Sequence, residues 1–483
     1  MNEERNKFYI TTSIPYVNSV PHIGFALELV QADSIARFHQ LIGDDVFFLT
    51  GTSEHGSKVP KAAEAAGRDI MEFVSDNSGR FKALAAALQI SNTHFIRTTD
   101  QGHHKTVEKF WNKLLEKGDI YKDRFEGLYC VGCESYKTDS DLVDGKCPIH
   151  KTTPEKIAEE NYFFRWSKYQ KMLEELFEKN FVFVKPKKWS NEVEQFIKQG
   201  VKDISISRSK KSLTWGVSVP GDKDQVVYVW FDELLNYLSG IGYYEEDGIF
   251  EKYWPADVHL IGKDITRFHA AFWPAMLTSA DLPLPKQILV HGFVSVSGEK
   301  ISKSLGNVID PIPLIEKYGA DAVRYFLLRE IPSDGDGDFT EEKFVKRYTA
   351  ELANDLGNLV SRVTNLLEKN CDGVVPQLVD SPKKSERLEE NIRNFKLHDA
   401  LSEIWENIAW ANQYVDKSKL WELPKKDKKL FDQVISSLVA LLKQVSIELS
   451  PFLPETADKL DKILNSERIE KSEPLFPRIE TAK

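Results

Sequence analysis

The chain has 483 residues, is 41% hydrophobic and 29% charged, and carries a formal net charge of −10. It is too long for one core of roughly 100–200 residues, so several domains are expected. No uncharged apolar run reaches the roughly 18 residues of a membrane span, and the charged start leads into no apolar signal segment. In chain order, Phe8–Thr12 reads as a strand, and about His22–Leu41 as a long helix. Val46–Thr50 is a second strand, followed by helical patterns over Lys58–Ala66 and Ile70–Leu88. Thr93–Thr98 is a third strand with a helix to about Lys117. Strand–helix alternation implies a parallel, doubly wound sheet.

From Tyr121 to His150 the helical period disappears, and short mixed elements continue to about Ser218. Alternation resumes with Gln225–Trp230, Val258–Ile261 and Gln287–His291. One α/β, Rossmann-like sheet split by an inserted domain accounts for this order. Helical periodicity dominates from about Glu341 to Asn465, the mark of a separate all-α bundle. The expected boundaries are 1–117 and 223–294 for the two halves of the catalytic domain and 118–222 for the insertion. A loop and stem-contact region takes 295–345, and the helical domain 346–483.

The net acidity argues against a uniformly basic nucleic-acid surface, while leaving a local basic track open. Candidates are Lys185–Lys188, Lys383–Lys384 and Lys425–Lys429, each of which reads equally well as a solvated face. The four cysteines form no disulfide framework, so a reducing, cytoplasmic setting is expected.

Two separated segments carry phosphate chemistry. Pro21-His22-Ile23-Gly24 opens the first long helix. A helix start offers unpaired N–H groups and a positive dipole end, His22 can donate to a phosphate oxygen, and Gly24 permits close approach. Lys300-Ile301-Ser302-Lys303-Ser304 follows a late strand and a small-residue loop. Two lysines and two hydroxyls on a loop can follow a pyrophosphate as its charge develops. Each motif is weak alone. As an ordered pair they resemble the two motifs of class I aminoacyl-tRNA synthetases.

Further segments are similar to methionyl-tRNA synthetases. They include Ile14-Pro15-Tyr16-Val17-Asn18, Leu49–Gly56, Val229-Trp230-Phe231-Asp232, Gly262-Lys263-Asp264-Ile265, Phe268-His269 and His291-Gly292-Phe293. The resemblance runs from Phe8 to about Pro454. It implies activation of L-methionine with Mg²⁺-bound ATP, then transfer to tRNA(Met), initiator included. It also implies correction of activated homocysteine by self-cyclisation in the same site, and a monomer outside any membrane. By the resemblance, His22, Lys300 and Lys303 are catalytic, and Gly24, Asp264, Gly292, Ser302 and Ser304 join them in holding ATP. Ile14, Tyr16, Glu28, Ser53, Trp230, Tyr237, Ile265, Phe268 and His269 hold methionine, with Tyr16 and His269 offering polar tips to the thioether or a water. Aromatic walls suit a thioether, since sulfur–aromatic contacts add about 0.3–1.5 kcal/mol. Without the family, Trp230, Tyr237 and Phe268 would read as core aromatics.

Three positions depart from the family pattern. Phe25 stands where a second histidine is common, Ser53 where an aspartate usually faces the substrate ammonium, and Glu233 where a small residue is usual. Glu28, with or without help from Glu233, is the expected substitute carboxylate.

Cys130-Val131-Gly132-Cys133 and Cys147-Pro148-Ile149-His150 have the spacing of a closed tetrahedral Zn²⁺ site. In the helical region the resemblance assigns anticodon reading to Asn358, Arg362 and Trp421; Asn and Arg read base edges and Trp stacks on a base. Two alternatives remain at this stage. One is another class I synthetase, although the chain lacks room for the large editing insertion of the branched-chain types, and a cysteine enzyme would want zinc at its substrate. The other is a non-catalytic RNA-binding relative, against which His22, Lys300 and Lys303 stand intact.

Overall fold

The computed structural model describes residues 5–132, 135–137, 141–149, 151–180, 183–246, 248–301, 306–377 and 385–479. Two compact units divide the chain. One comprises the chain to Pro21 with Asp44–Leu84 and Asn92–His291; the other comprises His22–Gly43, Ala85–Ser91 and the chain from Gly292.

The first unit is built on a six-stranded sheet. Its strands are β1 (Lys7–Thr12), β2 (Asp45–Thr52) and β3 (His94–Arg97), then three from later in the chain. Next in the chain come β4 (Ile120–Cys130), β5 (Glu155–Phe164), β6 (Val184–Lys185) and β7 (Asp222–Val227); β8 (Val258–Gly262) and β9 (Ile288–His291) follow. The order in the sheet is β3-β2-β1-β8-β9-β6, and every pair is parallel. Phe8 to Thr12 and all of β8 are buried, as expected where a parallel strand is covered on both faces. From the β1/β8 pair the chain order runs outward through β2 and β3 on one side and through β9 on the other, where the earlier β6 closes the edge. Ligands of such sheets bind beyond the carboxyl ends at that switch point.

Two expectations from the sequence change here. Val184–Lys185 lies inside the segment expected to be insertion, yet β6 closes the edge of the parallel sheet beside β9. Two residues are too few to show a period. The strand expected over Gln225–Trp230 splits in two. Asp222–Val227 pairs antiparallel with Ser207–Ser209 and Ser218–Val219, away from the main sheet, and Val229–Leu234 is a helix. A short apolar run does not say which partner it will take; here Gly221, at φ 79°, turns the chain back onto Val219. The same stretch holds a long antiparallel ribbon, β4 with β5, in register from Ile120↔Phe164 to Tyr129↔Glu155, and two helices, Gln170–Lys179 and Lys187–Lys198.

The second unit begins with α1 (Ile23–Leu41). Most of its residues are buried, including Glu28 and Asp33. A hairpin follows, Val294–Val296 with Glu299–Lys300, turned at Ser297 and Gly298 and backed by Gly337–Phe339. Its helices include α2 (Ala320–Glu330), then α3 (Asn358–Cys371), α4 (Leu397–Lys417), α5 (Lys428–Leu449) and α6 (Pro454–Leu464), the last four within the helical stretch expected from Glu341 to Asn465. By length and composition α5 could cross a membrane, but it buries Phe431, Ile435, Leu438, Leu442 and Val445.

Candidate active site

Beyond the carboxyl ends of β1 and β2 the two chains stay paired. Ser53 N–H donates to the Pro15 carbonyl (2.9 Å) and Val17 N–H to the Ser53 carbonyl (3.1 Å), which sets Tyr16 beside Ser53. The Asn77 amide donates to the Val17 carbonyl at 2.7 Å and fixes this turn. After β8, Ile265 ends a 3₁₀ turn, and Phe268 and His269 open a wider π-helical turn. Trp230 lies on the Val229–Leu234 helix, and its indole stacks on Phe268 with centroids 4.0 Å apart and planes 3° from parallel. Tyr228, Val229 and Trp230 form a small buried cluster apart from the main core, and Tyr16, Ile265 and Phe268 pack against it. Ile14 and Tyr237 belong to the main core beneath. The expected pocket residues of the first unit are thereby gathered.

His269 departs from expectation. Its Nδ1 lies 3.1 Å from the Ile265 carbonyl and its Nε2 2.8 Å from the Tyr237 hydroxyl. A carbonyl only accepts, so Nδ1 carries the proton and the tyrosine donates to Nε2. Burial pushes the ring pKa down to about 4. Both ring nitrogens are therefore engaged and the ring is neutral; the expected polar tip is already used internally. Two polar atoms here do lack partners: Ser53 Oγ and Trp230 Nε1, both buried. A buried hydroxyl or indole N–H without a partner costs about 1–3 kcal/mol, so such atoms mark where a ligand group is due. Asp264 is exposed just past β8, with Oδ1 only 3.1 Å from where a Cβ on Gly262 would stand.

In the second unit, His22 caps α1, its Nδ1 accepting the Gly24 N–H at 3.1 Å. A Cβ on Gly24 would come 2.9 Å from the His22 ring, so glycine is what lets the ring lie there. The first N–H groups of α1 are all taken. Ile23 donates to the Ile309 carbonyl (3.0 Å), and Phe25 and Ala26 donate to the His22 carbonyl. This corrects the expectation of unpaired helix N–H groups. The donor left is His22 Nε2, which carries the ring proton because Nδ1 accepts. The Ile23–Ile309 bond ties the start of α1 to the chain just after the Lys300–Ser304 motif. Lys300 closes the hairpin strand; Ser302, Lys303 and Ser304 lie outside the described residues. Gly292 has no room for a side chain, since a Cβ would meet the Gly335 carbonyl at 2.0 Å. Glu28 is buried one turn beyond Gly24.

Of the cysteine–histidine set, Cys130 ends β4 and Cys147 is buried; Cys133 and His150 lie outside the described residues. Among the described residues no three metal-ligating side chains are gathered. Asn358 opens α3, and Arg362, one turn on, reaches Asp416 at 2.6 Å and lies 5.8 Å from the Trp421 ring centroid. Trp421 is half exposed, at 50%.

The family described as tRNA synthetases class I (M) matches residues 8–153 and 138–364. The methionine–tRNA ligase of Caldanaerobacter subterraneus subsp. tengcongensis is 42% identical over an aligned length of 515 residues, covering 99% of this chain and 80% of that protein. That of Thermotoga maritima is 45% identical, covering 94% and 74%. The chain belongs to the class I methionyl-tRNA synthetases. Among solved structures, Mycobacterium tuberculosis methionyl-tRNA synthetase in complex with methionyl-adenylate aligns with a TM-score of 0.92 at 39% identity, over 98% of this chain and 100% of that one. The apo form of the same enzyme aligns with a TM-score of 0.84 at 36% identity, over 100% of both chains.

One group in this synthetase escaped the sequence reading. Asp232, two residues after Trp230, is buried between His55 Nδ1 (2.7 Å) and His103 Nε2 (2.9 Å), and His103 Nδ1 reaches the Ser239 hydroxyl at 2.8 Å. This network clamps the Trp230 helix to segments far away in sequence. His55 and Asp232 stand in segments quoted for the family resemblance, but His103 carries no motif, so only the fold brings the three together. Glu54 is similarly held, paired bidentately with Arg97 at 2.7 and 3.0 Å.

Proposed function

We propose that the chain activates L-methionine with ATP and transfers it to tRNA(Met). The observation that carries this is the aromatic cluster beyond the β1, β2 and β8 ends, with one orphan acceptor, Ser53 Oγ, inside it. The side chain of methionine lies against Tyr16, Trp230, Tyr237, Ile265 and Phe268, with Ile14 and the neutral His269 behind. Its carboxylate attacks the α-phosphate of Mg²⁺-bound ATP; the α–β phosphoanhydride bond breaks and pyrophosphate leaves. His22 Nε2–H, Lys300 and Lys303 stabilise the charge that develops, and Gly24, Asp264, Gly292, Ser302 and Ser304 hold the nucleotide. The tRNA terminal ribose hydroxyl then attacks the carbonyl of the adenylate, and AMP leaves. The site works by positioning and electrostatics, with no covalent intermediate on the protein. The deciding experiment is amino-acid-dependent ATP–pyrophosphate exchange. Methionine should support it, and another amino acid doing so in its place would refute the reading.

The countercharge to the ammonium is assigned to Glu28, helped by Glu233, and Ser53 is the neutral oxygen at the position where the family has a carboxylate. A charged acceptor roughly doubles the strength of such a bond, so Ser53→Asp should lower the methionine KM by about five- to tenfold. Glu28→Gln should raise it by a similar factor; a KM unmoved by both changes would remove these residues from the site.

Asn358, Arg362 and Trp421 read the CAU anticodon. The Arg362–Asp416 pair is half exposed and worth only about 0–1 kcal/mol, so Arg362 can exchange it for a nucleotide. Trp421→Ala should reduce tRNA charging by about 10–100-fold, the value of one or two lost base stacks, and spare pyrophosphate exchange. Equal loss of both activities would point to folding instead.

Cys130, Cys133, Cys147 and His150 hold one structural Zn²⁺. Cys147 is the sole buried residue of 141–149, a largely polar segment, which supports a thiolate turned onto a metal. Metal analysis should find about one zinc per chain, and removal by chelator should unfold this segment. A content well below one half would count against the site. The remaining domain assignments, 1–117, 118–222, 223–294, 295–345 and 346–483, follow from the same reading, with β6 returned to the catalytic sheet.

A further inference from the structure

A cleft of about 380 Å³ lies in the second unit, where the first turns of α2 and α6 meet the segment from Leu475 to Ile479. Ligand pockets run from about 300 to 1,000 Å³. No residue assigned above to methionine, ATP, the anticodon or zinc lines this one. Three aromatic rings wall it: Tyr318, Tyr348 and Phe476. Phe476 stands edge-on to Tyr348 with centroids 5.9 Å apart, and Tyr318 packs on the same ring at 5.7 Å. The Tyr348 hydroxyl donates to the Pro477 carbonyl at 2.8 Å and ties the last segment to the wall. Asp321, in the first turn of α2, also lines the cleft and is only 3% exposed. Its Oδ2 accepts the Thr456 N–H at 2.6 Å, while Oδ1 is buried with no partner. Burial raises the carboxyl pKa, and Thr456 and Arg324 offset only part of that rise. A buried carboxylate oxygen without a donor is costly, so this position calls for an N–H.

The cations of the cleft are not equivalent. Lys317 pairs with Glu341 at 3.3 Å and Lys459 with Glu455 at 3.6 Å. Arg478 is exposed and, among the described residues, pairs with no carboxylate. The cleft thus offers one orphan acceptor on a buried carboxylate, one unpaired guanidinium and aromatic walls. A nucleotide would set its phosphates against Asp321 and Glu455. A polyamine would set a second cation among Lys317, Lys459 and Arg478. A zwitterion meets both demands. We propose that this cleft binds an aromatic α-amino acid. Its ammonium donates to Asp321 Oδ1, its carboxylate takes the Arg478 fork, and its ring lies against Tyr348 and Phe476. The site shares no residue with the activation site, and it stands whether or not that activity does.

The test is equilibrium dialysis of the full-length protein against three probes. L-Phenylalanine carries both charges, N-acetyl-L-phenylalanine has an uncharged nitrogen, and phenethylamine lacks the carboxylate. L-Phenylalanine should bind saturably, and each of the other two should bind at least about tenfold more weakly, the factor carried by one charged hydrogen bond. Arg478→Gln removes an exposed cation without touching the core and should weaken L-phenylalanine by about tenfold. Asp321→Asn can still accept the Thr456 N–H through its amide oxygen, but it turns an NH₂ group towards the ammonium, and it should abolish binding. Should Asp321→Asn fail to fold, Arg478→Gln and the two altered probes still decide the matter. Absence of saturable L-phenylalanine binding would overturn the proposal. So would equal binding of all three probes, or an affinity that Arg478→Gln leaves unmoved, because such binding lies elsewhere on the protein.

Discussion

Replacing His22 by alanine should lower methionine-dependent pyrophosphate exchange by about 10²–10³-fold in kcat, the usual loss when one preorganised donor to a developing anion is removed. The donor is defined by the cap. Nδ1 accepts the Gly24 N–H, so the proton resides on Nε2. Burial holds the ring pKa below the ordinary imidazole value, so the ring is neutral at neutral pH and remains so some way into acid. The activity therefore owes nothing to an imidazolium at His22, and the pH–rate profile should show no fall as pH rises through about 6.5. With Phe25 where a second histidine is usual and the first helical N–H groups already bonded, little else at this helix start can take over. His22→Gln, which retains a side-chain donor, should recover part of the loss. A variant of unchanged kcat, or one whose loss tracks a lowered Tm, would show that His22 only caps the helix.

Asp232→Asn should destabilise the first unit by about 3–5 kcal/mol, the penalty for breaking one side of a buried charged network, read as a fall in Tm. Burial alone would raise the Asp232 pKa; the imidazoles of His55 and His103 override it and hold the carboxyl well below the usual carboxylate range. A group whose folded pKa is depressed contributes stability above its unfolded value and loses it as pH falls. The Tm difference between the two proteins should thus be full above about pH 4 and shrink below it. Because Asp232 fixes the helix carrying Trp230, the methionine KM should also rise while the ATP KM holds. A Tm difference that persists unchanged below pH 4 would remove the carboxylate from this role.

Much of the fold was legible beforehand. β1, β2, β3, β8 and β9 lie where apolar runs bounded by turn residues placed them, and the helical region begins and ends as its periodicity indicates. The pocket residues were legible only through the family resemblance, because Trp230 and Phe268 have the composition of any core. Their separation into a satellite cluster, with Ser53 Oγ left unpaired beside them, is a property of packing. β6 was missed because two residues carry no pattern, and β7 was assigned to the wrong sheet because an apolar run does not specify its partner.

The sequence by itself determined the chemistry: which donors, cations and aromatic walls are present, and in what order along the chain. Local period and turn chemistry are short-range, so the main elements followed too. Tertiary structure alone decided how those groups are used. It put the His22 proton on Nε2, closed both nitrogens of His269, clamped Asp232 between two histidines, and left one oxygen of Asp321 without a partner. Each of these depends on what the fold sets around the group, and a protonation state or a carboxylate's partner is fixed by whatever comes within about 3 Å of it.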